Sequence, residues 1–201
     1  VPTPAQDIRT YEVVEEGGKY RWEIAERWDL SGVLPTDVSP SDVVPDWEGN
    51  YWFISGFGHA GHLNRQTGKS RFIELGGGDE TSPIALTVGR MGAFVLTSKA
   101  LYLMGLSVDG TPKPTWRWAY GQSGSIDLST PTLLDEGKLI AFSIDGLGDR
   151  AQLIVLKTDA EELAGEERVV CRMPMFKANK SSIKNTLIGY GRSIVAQNNF
   201  G

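Results

Sequence analysis

One cysteine, two histidines, no surplus of basic charge and no long apolar run narrow what this 201-residue chain can do. Cys171 is alone, so no intrachain disulfide forms and cysteine does not report a compartment. With 20 basic against 25 acidic side chains the net charge is −5, and no basic stripe runs along the chain. A nucleic-acid partner and an anionic membrane surface are therefore not expected. The longest apolar candidate, Met91 to Leu106, is interrupted by Lys99, short of the roughly 18–20 residues of a membrane span. Helix-like sequence is confined to DAEELAGE from Asp159.

Catalytic signatures are scarce as well. There is no Walker A loop, no Gly-x-Ser-x-Gly elbow and no His-Glu-x-x-His. GQSGS from Gly121 comes nearest to a nucleophile elbow but lacks the final glycine, and reads as a loop between repeats. GFGHAG from Gly56 matches Gly-x-Gly-x-x-Gly, yet the polar HLNRQTG follows it where a dinucleotide site needs a helix. It reads as a hairpin turn. His59 and His62 sit three apart, which on strands puts them on different faces, and no Cys or acidic cluster accompanies them. His59 is expected at the turn tip.

What is present is a repeat. Polar, often proline-containing starts lead into a β-rich stretch, a glycine turn and a second β-rich stretch, from Ser39, Ser82, Thr130 and Lys184. The turn glycines Gly49, Gly92, Gly137 and Gly191 lie 43, 45 and 54 residues apart. A period in that range built from strands is the mark of a propeller blade. Third strands are expected in HLNRQTG, LYLMGLSVDG and AQLIVLKTD, and fourth strands in SRFIEL, TWRWAY and RVVCRM. Period-2 alternation in these segments fits half-buried strands. The 24 glycines and 10 prolines suit short strands and turns, and the six tryptophans are expected to fill the space between blades. The fold class is all-β: a β-propeller of four-stranded blades, with about 3.5–4 blades in one domain over residues 1–201.

Leu63-Asn64-Arg65-Gln66-Thr67-Gly68-Lys69, followed by Phe72, resembles the repeat of the quinoprotein-like (PQQ-like) β-propellers, roughly Ala-x-Asp-x-x-Thr-Gly-x-x-x-Trp. Asn64 stands for the Asp and Phe72 for the Trp. A second copy keeps Asp109-Gly110 with Trp116 after it, and a third keeps Asp159 but loses the Gly-then-Trp arrangement. The resemblance covers about residues 39–199 and implies fold rather than activity. Residues 10–30 read as two outer strands turning at Gly17-Gly18, and 184–199 as two inner strands. Either these halves form one blade that closes a four-bladed ring, or the chain belongs to a larger ring completed by further sequence or a second polypeptide. Stopping at Asn198-Asn199-Phe200-Gly201, where a third strand should begin, favours the larger ring. VPTPAQDIRT has no apolar core of a secretory leader; a start on valine fits a processed or a trimmed chain, and an extracytoplasmic setting is expected.

In propellers the second-to-third-strand turns and the segments leading into the innermost strands lie on one face, around the channel. That face is expected to carry the site. It gathers Asp42, Ser82, Asp127, Thr130, Lys184 and Asn185 with His59, Lys99, Asp145, Asp149, Asn198 and Asn199. Asn198, Asn199 and Asp145 offer hard oxygen ligands for Ca²⁺, like the central site of the gluconolactonase and paraoxonase type of propeller. Asn-Asn and Asp145-Gly146 are equally ordinary turn signals. The leading expectation is a binding or scaffold propeller holding a small molecule or a protein on the channel face. The alternatives are a metal-dependent hydrolase or lactonase, and a quinone-dependent dehydrogenase.

Overall fold

The computed structural model describes residues 2–3, 6–81, 86–120, 127–145, 148–159, 163–183 and 185–201. Among them regular structure is almost entirely antiparallel β. The first blade is a meander of β4 (Pro40–Pro45), β5 (Tyr51–Ser55), β6 (His59–Leu63) and β7 (Ser70–Glu74). The second is β8 (Leu86–Gly89), β9 (Gly92–Leu96), β10 (Ala100–Leu106) and β11 (Pro112–Ala119). In the third, the innermost strand is split into β12 (Asp127–Leu128) and β13 (Thr132–Leu134). Both pair with β14 (Leu139–Asp145), which continues to β15 (Gln152–Lys157) and β16 (Val169–Pro174). The expected β-propeller blades are present.

Two partial units flank them. At one end β1 (Pro2–Thr3) pairs with the start of β2 (Asp7–Glu16), which forms a long hairpin with β3 (Lys19–Asp29). Its turn is Gly17-Gly18, both at positive φ, as the sequence pattern predicts. At the other end β17 (Ile188–Tyr190) and β18 (Ser193–Val195) make a two-stranded sheet. These flanking units are separate sheets among the described residues, not one four-stranded blade.

Innermost strands neighbour one another in order: β4 lies by β8, β8 by β13, and β13 by β17. The units stack face to face with a hydrophobic layer at each junction. Ile8, Leu30 and Leu34 meet Phe53 and Leu63 between the hairpin and blade one. Trp52 and Ile54 meet Val95, Tyr102 and Met104 between blades one and two. Phe94, Trp116 and Trp118 meet Phe142, Ile144 and Ile154 between blades two and three. Leu153 and Val155 meet Ile183 and Leu187 between blade three and the last pair.

This stacking corrects the alternation expected for half-buried strands. A middle strand such as β9 points Ala93 and Val95 toward blade one, and Phe94 and Leu96 toward blade three. Both faces are buried, so the strand reads as a continuous apolar run. True alternation survives in outer β11, where buried Trp116 and Trp118 alternate with exposed neighbours. Tryptophan placement is also divided. Trp52, Trp116 and Trp118 fill inter-blade space, whereas Trp22 and Trp47 are exposed.

Two boundaries differ from the sequence expectation. The third strand of blade one begins at His59 rather than in HLNRQTG, so the turn is only Gly56–Gly58. Gly61 explains why this stretch can be strand: a Cβ there would lie 2.0 Å from the buried Phe53 ring, so the ring occupies the glycine's side-chain space. In the acidic segment, the described helical turn is 3₁₀, at Gly165–Arg168. No helix among the described residues is long and apolar enough to cross a membrane, which says nothing about membrane β-barrels.

Candidate functional site

Residues expected around the channel take several roles. His59 is buried at the start of β6, not on a turn tip. Its Nδ1 lies 2.8 Å from Ser55 Oγ, which also accepts the backbone N–H groups of Phe57 and His59. With both acceptor sites of the hydroxyl used, its proton goes to Nδ1 and the ring N–H sits on Nε2. The ring meets Phe72 edge-on at 5.3 Å, and burial pushes its pKa below the ordinary histidine value. This pair pins the β5–β6 turn; the hydroxyl is not presented as a nucleophile.

Asp42 lies on innermost β4, where its Oδ1 accepts the Val43 N–H, and burial raises its pKa above the ordinary carboxylate value. Lys99 Nζ stands 4.0 Å from Asp79 at the second-to-third turn of blade two. Asp145 is placed opposite Asp127 across β12 and β14. Asn185 Nδ2 donates to Gln197 Oε1 on the surface. Lys184, Ser82 and the GQSGS loop lie outside the described residues.

Of the residues expected to offer oxygen ligands to Ca²⁺, Asn198 is engaged within the chain. Asn198 Oδ1 accepts the N–H groups of Ser182 and Phe200, while Nδ2 donates to the Lys180 carbonyl. Both lone pairs of the oxygen are used, so Asn198 acts as a clamp between two chain segments. Asn199 binds the same segment through its backbone N–H to Ser182 O. No group of three His, Cys, Asp or Glu among the described residues is disposed to hold a metal ion.

One network on this face was invisible in the sequence. Glu80, on the connection from blade one to blade two, is fully buried. It accepts from Thr97 Oγ1, from Tyr102 OH at 2.9 Å and from Arg117 Nη2 at 2.9 Å, and Arg117 Nε donates to Tyr102 OH. Burial raises the Tyr102 pKa. Strands β10 and β11 and the β9–β10 turn of blade two are thereby tied to the connection that precedes it.

Three clefts lie on the opposite face, among first-to-second and third-to-fourth turns. A cleft of about 260 Å³ between blades one and two is lined by Glu48, His62, Lys69, Arg71, Val108 and Asp109, among others. His62 is buried, with Nε2 3.3 Å from Asp46 Oδ2 and its ring edge-on to Trp52. Arg71 Nη1 stands 3.6 Å from Asp109, but its Nε is buried without a hydrogen-bond partner among the described residues. An adjoining cleft of about 260 Å³ shares Glu48 and adds Trp47, Trp52, Arg90 and Met91. A third, of about 200 Å³, separates blades two and three.

The turns that frame these clefts have a common construction. Asp46 Oδ1 caps Glu48 and Asn50, Asn64 Oδ1 caps Thr67, and Asp109 Oδ1 caps Thr111. Hydrogen bonds from Ser107 and Thr111 lower the Asp109 pKa to about 2. Asn64 and Asp109 occupy the Asp position of the repeat motif. Their role is to close the third-to-fourth turn by side-chain mimicry of a backbone turn.

No family model matches this sequence, and no curated protein matches it. Solved structures do, at low identity. A protein from Lactobacillus plantarum superposes with TM-score 0.60 at 12% identity, over 85% of this chain and 52% of that one. The β-propeller domain of Myceliophteria thermophila Cps50 (Swd1) gives 0.61 at 8%, over 96% of this chain and 61% of that one. An extracellular domain from B. thetaiotaomicron gives 0.51 at 13%, over 82% and 20%. The fold is a β-propeller. This chain spans about half to three-fifths of the first two neighbours' lengths.

Proposed function

We propose that this chain is a binding β-propeller that takes an anionic ligand, or an anionic group of a partner, in the cleft between blades one and two. The observation that carries this reading is the half-exposed Arg71 guanidinium, whose Nε has no hydrogen-bond partner among the described residues, beside Lys69 in that cleft. A buried donor left unmade costs about 1–3 kcal/mol, and an acidic oxygen is the strongest group to satisfy it. Exposed Trp47 and buried Trp52 line the adjoining cleft, supplying an apolar rim and an optical reporter. The similarity to an extracellular domain supports an extracytoplasmic setting for this activity.

The test is a tryptophan-fluorescence and calorimetric titration with citrate and inorganic phosphate as carboxylate and phosphate probes. At least one should bind, and Arg71→Ala should weaken it about tenfold or more. Lys99→Ala, on the opposite face, should leave binding unchanged. If Lys99→Ala abolishes binding while Arg71→Ala does not, the ligand sits at the channel mouth instead. Silence of both probes sinks the anion reading.

A further inference from the structure

Each junction between neighbouring units is covered by an apolar layer, but the two outermost units each leave one apolar face bare. In the hairpin, Ile8 and Trp28 pair and point toward blade one. By alternation along β2, the other side carries Tyr11 opposite Ile24, Val13 opposite Trp22 and Glu15 opposite Tyr20. Those five apolar side chains are all exposed, Trp22 at 70%. The edge of β2 is covered by β1 only at Asp7 and Ile8.

At the far end Gly189 and Ile194 pair and face blade three. The other side of this pair shows Ile188, Tyr190 and Val195, with Tyr190 89% exposed. The outer edge of β18 has no partner strand among the described residues. Blade three is uncovered just outside it. On β16, Cys171 and Met173 share a face with Val155 and Leu153, which are buried, yet both are exposed. The corresponding outer strand β11 of blade two has Trp116 and Trp118 buried, because a complete blade covers them.

The two bare regions are halves of one blade. Among the described residues β17 and β18 are an inner pair without an outer pair, and β2 and β3 are an outer pair whose inner edge carries only the two-residue β1. We infer that a second copy of this chain supplies the missing half, so that β17–β18 of one copy and β2–β3 of the other form a composite four-stranded blade. Tyr11, Val13, Trp22 and Ile24 would then cover Cys171 and Met173 of the other copy. Ile188, Tyr190 and Val195 would meet the inner part of blade one. Two such composite blades, related by a two-fold axis along the channel, close a ring from two chains.

Charge favours the same pairing. Asp7–Asp29 carries seven acidic against four basic side chains, whereas residues 169–201 carry five basic and no acidic ones. Each copy therefore brings an acidic hairpin to a basic end.

Sedimentation equilibrium on the 201-residue chain tests the pairing. The expected mass is twice that of the chain, dissociating on dilution and with added salt. Trp22→Glu and Tyr190→Glu should each be monomeric while keeping the wild-type circular dichroism, since both side chains are exposed within the chain. Mixing the two variants should restore a dimer, because one of its two junctions is then free of substitutions. A wild-type chain that stays monomeric at its highest soluble concentration overturns the inference. So does a dimer that survives both substitutions, a mixture that fails to reassociate, or a mass that keeps growing beyond two chains.

Discussion

Single residues in this chain are recruited to hold turns, and the histidines show it most clearly. A pair three apart invites a metal or surface reading, but strand geometry sends His59 to Ser55 and Phe72, and His62 to Asp46 and Trp52. That they take opposite faces is legible from the spacing; that both are buried is not, because it depends on blades packed against each face. His59 has a pH consequence. Its ordinary value is 6.5, and burial lowers it in the folded protein. Above that value both states hold a neutral ring. As pH falls through it, the unfolded chain takes up a proton that the folded chain resists, so stability drops. Urea midpoints measured from about pH 7 to about pH 5 should fall, and His59→Asn should flatten that slope. Glu80 lies at the far limit of legibility: nothing in LGGGDET announces a buried carboxylate, because Tyr102 and Arg117 reach it from 22 and 37 residues away.

At the scale of elements, turn chemistry was readable and strand ends less so. Gly17-Gly18 and the capped turns at Asn64 and Asp109 follow from residue type, since local hydrogen bonds settle them. The misplaced third strand of blade one has a physical origin. HAGHL carries glycine and histidines where β-branched residues are expected, yet it is strand because Gly61 receives the Phe53 ring. Gly61→Ala should displace that ring and cost about 1–3 kcal/mol, read from the urea midpoint at constant m-value.

Across the whole molecule, stability resides in the layers between blades. Trp118 is nearly fully buried between blades two and three, edge-on to Phe142 at 6.1 Å, with the Arg172 guanidinium 5.2 Å above it. Trp118→Ala should cost about 3–5 kcal/mol in chemical denaturation, whereas Trp47→Ala, exposed at a turn, should cost almost nothing. The repeat period, the turn glycines and the apolar strand runs were enough to specify blades, since each is a local pattern with one stable solution. Which face of the ring carries a cleft, which carboxylate is buried and which apolar strands stay uncovered were decided by packing between blades. Those properties depend on side chains from different repeats meeting across a junction, and no one repeat encodes its neighbour's surface.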